Sequence, residues 1–397
     1  MGPVEDQVDV VVGGPPCQAY ARIGRAKLRE IAAHPKAYTK DLRGDLFRDY
    51  LRFVAALQPV AVVMENVPDI LDYGGENIAE VIADSLDVLG YEVSYRLLNA
   101  AAYGVPQTRE RLILIGWHRE LGLGIPDFPL PTHSLRDLPI GYRGTRSSAR
   151  RLEARISAGE TGLHYRPAEE PGVCKLPDPV TVLQAIGDLP PIMGHLDGRI
   201  KRGPRRFKVL QRYTLLPTSH YSSTMRGWEG VGVVGGVKDH VIRWLPRDYA
   251  IFARMKHGDH YPEAHALALR MLGERRRKEE RRLGRGLMQE EEAALRKRTV
   301  PPYDPGKFPN KWRKLEPNKP SRTLLAHLGK DSYTHIHYDS KQRRTISVRE
   351  AARLQSFPDR FIFKGTMNPA FKMIGNAVPP LLAQAVAVHL KKRLAEI

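Results

Sequence analysis

The chain has 397 residues, 42% of them hydrophobic, which is enough to bury a substantial core and too apolar for a disordered polypeptide. Lys and Arg number 63 against 44 Asp and Glu, a net charge of +19, and this points to a polyanionic partner, nucleic acid ahead of a membrane surface. The two cysteines, Cys17 and Cys174, argue against a disulfide framework or a cysteine-rich zinc site; with no signal peptide or bilayer-length apolar run in view, a reducing cytoplasm is expected.

The β-branched run at 8–12 predicts a buried strand, stopped abruptly by Gly13-Gly14-Pro15-Pro16. The thiol of Cys17 then rides on a stiff turn at the strand's carboxyl end, the edge where ligands bind in open α/β sheets. A polar, basic stretch through Lys40 reads as a loop. Residues 45–57 place Leu46, Phe47, Tyr50, Leu51, Val54 and Leu57 on one helical face. A second apolar strand, 60–64, ends in Glu65-Asn66-Val67. Ile78, Val81, Ile82, Leu86 and Leu89 mark another helix, closed by Gly90. Two more strands follow at 91–98 and 112–115, linked through Gly104-Val105-Pro106-Gln107. The pattern is half of a doubly wound sheet with βαβ crossovers.

From about residue 126 Pro, Gly and Arg accumulate and periodicity fades. Arg199, Lys201, Arg202, Arg205, Arg206, Lys208 and Arg212 cluster with Phe207 and Tyr213, a composition that suits phosphate contact and base stacking or, equally, a solvated loop. Residues 274–298, dense in Glu and Arg, read as an exposed helix or a disordered insert. The lone G-x-G-x-x-G, Gly230 to Gly235, follows no strand and reads as a loop or strand feature rather than a dinucleotide site. After Arg349 an alternating α/β texture returns, ending in an amphipathic segment at 381–394. The expected division is a catalytic α/β part at 1–125, a middle region at 126–345, and a C-terminal segment, 346–397, that returns to the first part.

Cys17 and Glu65 each follow a buried strand, and one helix separates those strands. A right-handed crossover makes them parallel, so both residues emerge on one sheet edge. A thiolate beside a carboxylic acid can add to an electron-poor ring carbon while the acid holds a proton on a neighbouring ring nitrogen. The bland alternatives are a small buried hydrophobe for Cys17 and a capping or salt-bridged carboxylate for Glu65. Arg109 and Arg111, just ahead of the next strand, offer cations for the far side of such a ring, or merely partners for Glu110. His257, His260, His335 and His337 lack partners at metal spacing, so no metal is expected. Cys174 is expected to do nothing chemical.

Gly13–Gln18, Glu65-Asn66-Val67, Gln107–Arg111, the block from Arg349 to Pro358 and Gly375-Asn376-Ala377-Val378-Pro379-Pro380 resemble, in order, the signature blocks of DNA (cytosine-5) methyltransferases. Arg43-Gly44-Asp45-Leu46-Phe47 is similar to the family segment after the catalytic loop. The resemblance covers nearly the whole chain outside about 126–320. It implies a Rossmann-like S-adenosylmethionine-dependent methyltransferase sheet with a smaller, irregular mixed target-recognition domain. It makes Cys17 the nucleophile on C6 of a cytosine flipped out of duplex DNA, Glu65 the contact at N3 and the exocyclic amine, and Arg111 the holder of the O2 side with Arg109 in support. Pro16, Leu46, Asn376 and Ala377 would border S-adenosylmethionine, and the block at 349–358 would brace the recognition region, with Leu354 and Phe357 as packing residues. Ala21 stands where the family often has Ser.

One departure shapes the expectation. The family carries a Gly-rich, acidic cofactor segment ahead of the Pro-Pro-Cys block, and here the chain begins a strand before Cys17, so the sheet is expected to be N-terminally incomplete. A shortened enzyme, or one subunit of a split enzyme whose partner supplies the missing strands, would account for it. The alternatives to a DNA methyltransferase are an RNA cytosine-5 methyltransferase and a catalytically incomplete DNA-binding fragment. A cognate restriction endonuclease stays open as a further partner, and no membrane partner is expected.

Overall fold

The computed structural model describes residues 8–16, 46–139, 142, 147–168, 176–200, 207–230, 232–309, 311–329 and 333–397. Strand β1 (Val10–Gly13) is the β-branched run before the Gly-Pro turn, and helix α1 (Phe47–Leu57) buries Phe47, Tyr50 and Val54 from the expected face. A Cβ on Gly13 would sit 2.5 Å from the Tyr50 ring, so the close approach of α1 dictates glycine there. Strand β2 (Ala61–Asn66) and helix α2 (Ile78–Val88) follow, the helix N-capped by the Asn77 side chain and closed at Gly90 with φ +93°. Then come β3 (Tyr91–Asn99), β4 (Gln107–Thr108) and β5 (Glu110–His118).

The main sheet has the order β1-β2-β5-β3. β1 and β2 are parallel, as the crossover through α1 requires, but β5 runs antiparallel to both β2 and β3. The sheet is therefore mixed, where the sequence pattern suggested βαβ crossovers throughout. The cause is the short connection at 100–109. A parallel crossover needs about a dozen residues or more, usually with a helix, so the chain turns back beside β3 and inserts between β3 and β2. This reversal carries the beginning of β5 to the rim where β1 and β2 end.

One face of the sheet packs Met64, Leu112 and Leu114 against α1 and α2 and against Ala149, Leu152 and Tyr165 of the segment holding α3 (Ser147–Ser157). The other face packs Val63, Ile113 and Trp117 against the last helix. The middle of the chain has short elements, as its composition predicts: α4 (Val182–Ile186), β6 (Gln211–Arg212), α5 (His220–Arg226), β7 (Gly236–Val237) and α6 (Tyr249–Arg254). The Glu- and Arg-rich stretch is helical: α7 (Tyr261–Leu283) and α8 (Gln289–Thr299) pack as a hairpin laced by ion pairs such as Arg276–Glu292 at 3.1 Å. Strand β8 (Ser321–Arg322), α9 (Val348–Leu354), α10 (Met367–Asn376) and α11 (Pro380–Leu394) complete the chain.

Among the described residues the segment Met367–Leu394 is long and apolar enough, by composition, to cross a membrane, a run the sequence reading did not register. It is broken in the middle. Ala377 and Pro379 have ψ of 149° and 129°, and the resulting helices serve different cores: Phe371 and Ile374 join α4, α5 and α9, while Leu382, Val386 and Leu390 of α11 cover the sheet.

Helix α9 anchors the middle region through buried charge. Arg353 grips Asp359 with Nε at 2.6 Å and Nη2 at 2.6 Å, and reaches Asp188 with Nη1 at 3.0 Å, all three side chains fully buried. Arg349 pairs with Asp239 at 3.1 Å, and Arg344 clasps Glu350 through two bonds of 2.7 Å. Arg344 and the neighbouring His337 hold the Glu350 carboxyl well below the ordinary carboxylate range despite its burial. Leu354 and Phe357 pack in the same core, as the sequence suggested. Removing one member of such a network leaves uncompensated buried charge. Arg353→Ala should therefore destabilise the fold by about 3–5 kcal/mol in urea denaturation. Arg353→Lys should recover little of this, because an ammonium cannot reproduce the bidentate clasp.

Candidate active site

The rim where β1, β2 and the start of β5 meet is built by register. Gly13 pairs with Met64 and Asn66 with Leu112, so Gly14 abuts Glu65 and Arg111 lies one residue beyond the last β2–β5 pair. A Cβ on Gly14 would stand 3.6 Å from Glu65 Oε2. Asn66 Nδ2 donates to the Pro15 carbonyl at 3.2 Å, tying the Gly-Pro turn to the end of β2. Arg111 Nε meets Glu65 Oε1 at 2.7 Å, and Arg111 Nη1 donates to the Glu110 carbonyl at 2.7 Å. Glu65 and Arg111 thus face the same short stretch of rim as the Gly13–Pro16 turn. Cys17 itself lies outside the described residues, as do Ala21, Lys201, Arg202, Arg205, Arg206 and Cys174.

Burial pushes the Glu65 carboxyl above its ordinary range, and the nearby Arg111 and Arg109 charges pull it back only in part. A carboxyl so placed keeps its proton to higher pH than a free glutamate, which suits it to hold a proton against a ring nitrogen.

Arg109 has a different setting from Arg111. Its side chain is fully buried, and its guanidinium donates to the carbonyls of Leu324 (2.9 Å), Gly375 (2.8 Å) and Ala377 (3.1 Å). Gln107 works beside it. Its Nε2 donates to the Leu354 carbonyl at 3.1 Å, and its Oε1 accepts from Leu324 N at 2.8 Å. Gly375 is the residue that permits this junction. A Cβ there would lie 2.4 Å from Ala326 N, so the backbones of α10 and the 325–326 segment could not approach. The glycine inside a helix was the available sequence signal, although nothing in its spacing named Ala326 as the neighbour.

Of the other residues singled out, Pro16 and Asn376 are exposed, Leu46 is half-buried ahead of α1, and the Ala377 carbonyl is taken by Arg109 and by Gln355 Nε2 at 2.7 Å. A cleft of about 600 Å³ opens beside the rim, walled by Val10, Val12, Val63, Ile113, Val378 and Leu390, with Glu65, Asp9 and Lys391 at its edges. His335 and His337 are buried in the network around α9 and β8, where desolvation lowers them to about 4 and about 3, so both are neutral at pH 7.

The chain matches the family of C-5 cytosine-specific DNA methylases over residues 3–153 and 260–392. It is 41% identical over 97% of its length to M.OihORF3336P of Oceanobacillus iheyensis, assigned as a type II methyltransferase, and covers 80% of that protein. It is 33% identical to the type II methyltransferase M.AgeI of Thalassovita gelatinovora, covering 98% of this chain and 84% of the relative. Its fold resembles that of a DNA-modification methyltransferase encoded within an Escherichia coli prophage, with a TM-score of 0.60 at 19% identity over 99% of this chain and 81% of the other. The chain belongs to the C-5 cytosine-specific DNA methylase family, and its activity is that of a DNA (cytosine-5) methyltransferase.

The setting of Glu65 is measurable. In a carboxyl-resolved NMR titration its midpoint should lie above the ordinary 4.5, and Arg111→Gln should move it higher still, since the Arg111 charge is what lowers it. The sign for stability follows. Because the folded-state midpoint is raised, Glu65 favours the fold below its ordinary midpoint, and that contribution is lost as pH rises through the raised one. A midpoint at or below 4.5 in the wild type would contradict the burial argument.

Proposed function

We propose that Cys17, Glu65 and Arg111 form the reaction centre of this methyltransferase, acting on a cytosine extruded from duplex DNA. The observation that supports it most is the meeting of the Glu65–Arg111 pair with the Gly13–Pro16 turn at one sheet rim. The Cys17 thiolate adds to C6 of the ring, and Glu65 supplies the proton that N3 needs as negative charge arrives there. Arg111 orients Glu65 and faces the O2 side. C5 becomes nucleophilic through this addition. After methylation a water molecule takes the C5 proton, its electron pair forms the C5–C6 double bond as the C6–S bond breaks and restores the thiolate, and N3 returns its proton to Glu65. Arg109 acts as a positioning residue, holding the 375–377 turn against the start of β5.

S-adenosylmethionine, when bound, supplies the electrophilic methyl group. The apolar cleft has the volume and lining for an adenosyl group, with Asp9 and Lys391 as the charged groups at its edge. Of the residues expected to border the cofactor, Pro16, Leu46, Asn376 and Ala377, none lines this cleft, and Val378 is the member of the last turn that does. In this reading the sheet is a Rossmann-like methyltransferase sheet, residues 1–125 and 346–397 serve catalysis, and 126–345 recognise the target. The enzyme marks a short sequence in a bacterial cytoplasm as the modification half of a restriction system, opposite a cognate endonuclease.

One observation favours a second reading, in which a partner subunit completes the enzyme. β1 has a strand neighbour on one side only among the described residues, and Val12 on it is 74% exposed. Trapping on duplex containing 5-fluorocytosine separates the readings, since fluorine cannot leave as a proton and the adduct persists. With S-adenosylmethionine, the wild-type chain should form a denaturant-resistant complex with the duplex. Cys17→Ala should form none, and Glu65→Gln should form it at least about 100-fold more slowly, within the range for losing one acid–base group. Failure of the wild-type chain alone, with rescue by a partner chain, would establish the second reading. Adduct formation by Cys17→Ala would refute the first.

A further inference from the structure

Strands β6 and β7 pair antiparallel, so the loop leaving β6 and the loop entering β7 project from the same end of one ladder. Each loop presents aliphatic side chains to solvent. Leu215 and Leu216 on the first are 53% and 85% exposed, and Val233 on the second is 80% exposed. Both loops are pinned. Arg226 lies over the Tyr213 ring at 3.6 Å, donates to the Leu215 carbonyl at 3.0 Å, and is held by Asp188 through Nε at 2.8 Å. Tyr213 N and Val234 N donate to the Gly235 and Arg226 carbonyls, each at 3.3 Å, which joins the two loops at their roots. Gly230 and Gly232 carry φ of +74° and +80°, so the second loop takes a path that few other residues allow.

Leu216 and Val233 contribute to no core, and a fixed apolar tip in water is unfavourable unless something covers it. Lys208 and Arg212, both exposed, stand on the β6 side of the same ladder. Apolar tips beside cations complement a duplex groove, where thymine methyl groups lie between rows of phosphates. We propose that Leu216 and Val233 are specificity-determining residues of the methylation reaction, reading base-pair edges in a groove of the substrate duplex by apolar contact. The proposal rests on the DNA-methyltransferase reading above and extends it to the choice of sequence.

The test is bisulfite sequencing of a randomised duplex library after exposure to the full-length enzyme and S-adenosylmethionine. Wild type defines the target. Leu216→Ala and Val233→Ala should each raise methylation of sites differing from it by one base pair by about tenfold relative to the target, at one or two positions of the site. Val388→Ala, a change at an exposed aliphatic position on α11, should leave the pattern unchanged. Arg212→Gln should weaken all sequences alike and reduce the salt dependence of binding. Target patterns identical to wild type in both loop variants, with thermal unfolding unchanged, would overturn the proposal. If wild type alone methylated no sequence in the library, the reading in which this chain is a complete enzyme by itself would fall, a result distinct from unchanged loop variants.

Discussion

The structure hinges on the run Gln107 to Arg111, four of whose residues reach distant parts of the chain. Gln107 takes the end of α9, Thr108 pairs with β8, Arg109 takes the turn after α10, and Arg111 takes Glu65 on β2. Leaving any of these buried groups unpaired costs its full desolvation, so each contact enforces the others. The segment can serve so many partners because it sits at a reversal. β5 runs against its neighbours, and its first residues therefore arrive at the rim where β1 and β2 end. Had the strand been parallel, its carboxyl end would have occupied that rim and the arginines would lie on the far edge.

A second constraint works at longer range. The buried ion pairs around α9 join residues far apart in sequence: Arg353 to Asp188, Arg349 to Asp239. Such pairs add little net stability over an apolar replacement, but they tolerate few alternative arrangements. Asp188 is shared between Arg353 and Arg226, and Arg226 in turn holds Tyr213 and Leu215. The loops beyond β6 and before β7 are thus linked to α9, whose end is bonded to Gln107 beside the proposed reaction centre. Rigidity at the rim and rigidity in the middle region share one chain of contacts.

The sequence made the rim legible for a physical reason. β-branched runs ending in Gly-Pro or Glu-Asn mark buried strands and their carboxyl ends, and the intervening helix fixes their relative direction; Gly14 beside Glu65 bears this out. The direction of β5 was not legible, because alternation in a strand is the same read either way and only the length of its connection decides. The partners of the arginines were equally hidden. Arg109 and Arg111 are two residues apart in sequence and look alike, yet one lies within the chain's interior on three carbonyls and the other faces a carboxylate. Periodicity distinguishes faces of a strand only when one face is solvated, and here both are covered. The acidic residues Asp188, Asp239 and Asp359 carried no local signal, since their roles arise from distant arginines.

The Glu65–Arg111 pair also accounts for how one carboxyl could be both held and reactive in the proposed reaction. A carboxylate fully satisfied by arginine would lie far down the acidic range and would have no proton to offer. A carboxyl buried without a cation would be neutral and costly to ionise, unable to take part in returning the proton. At Glu65 desolvation outweighs the arginines, so the carboxyl is raised above its ordinary range while two cations still act on it. Arg111 approaches Oε1 through Nε at 2.7 Å while its Nη1 is bonded to the Glu110 carbonyl, and Oε2 lies on the Gly14 side, toward the turn that precedes Cys17. In the proposed reaction, a ring seated against that oxygen would exclude further water from it. Exclusion of water would raise the affinity of the carboxyl for its proton as the ring nitrogen acquires negative charge, so the two would share the proton most closely with the base in place.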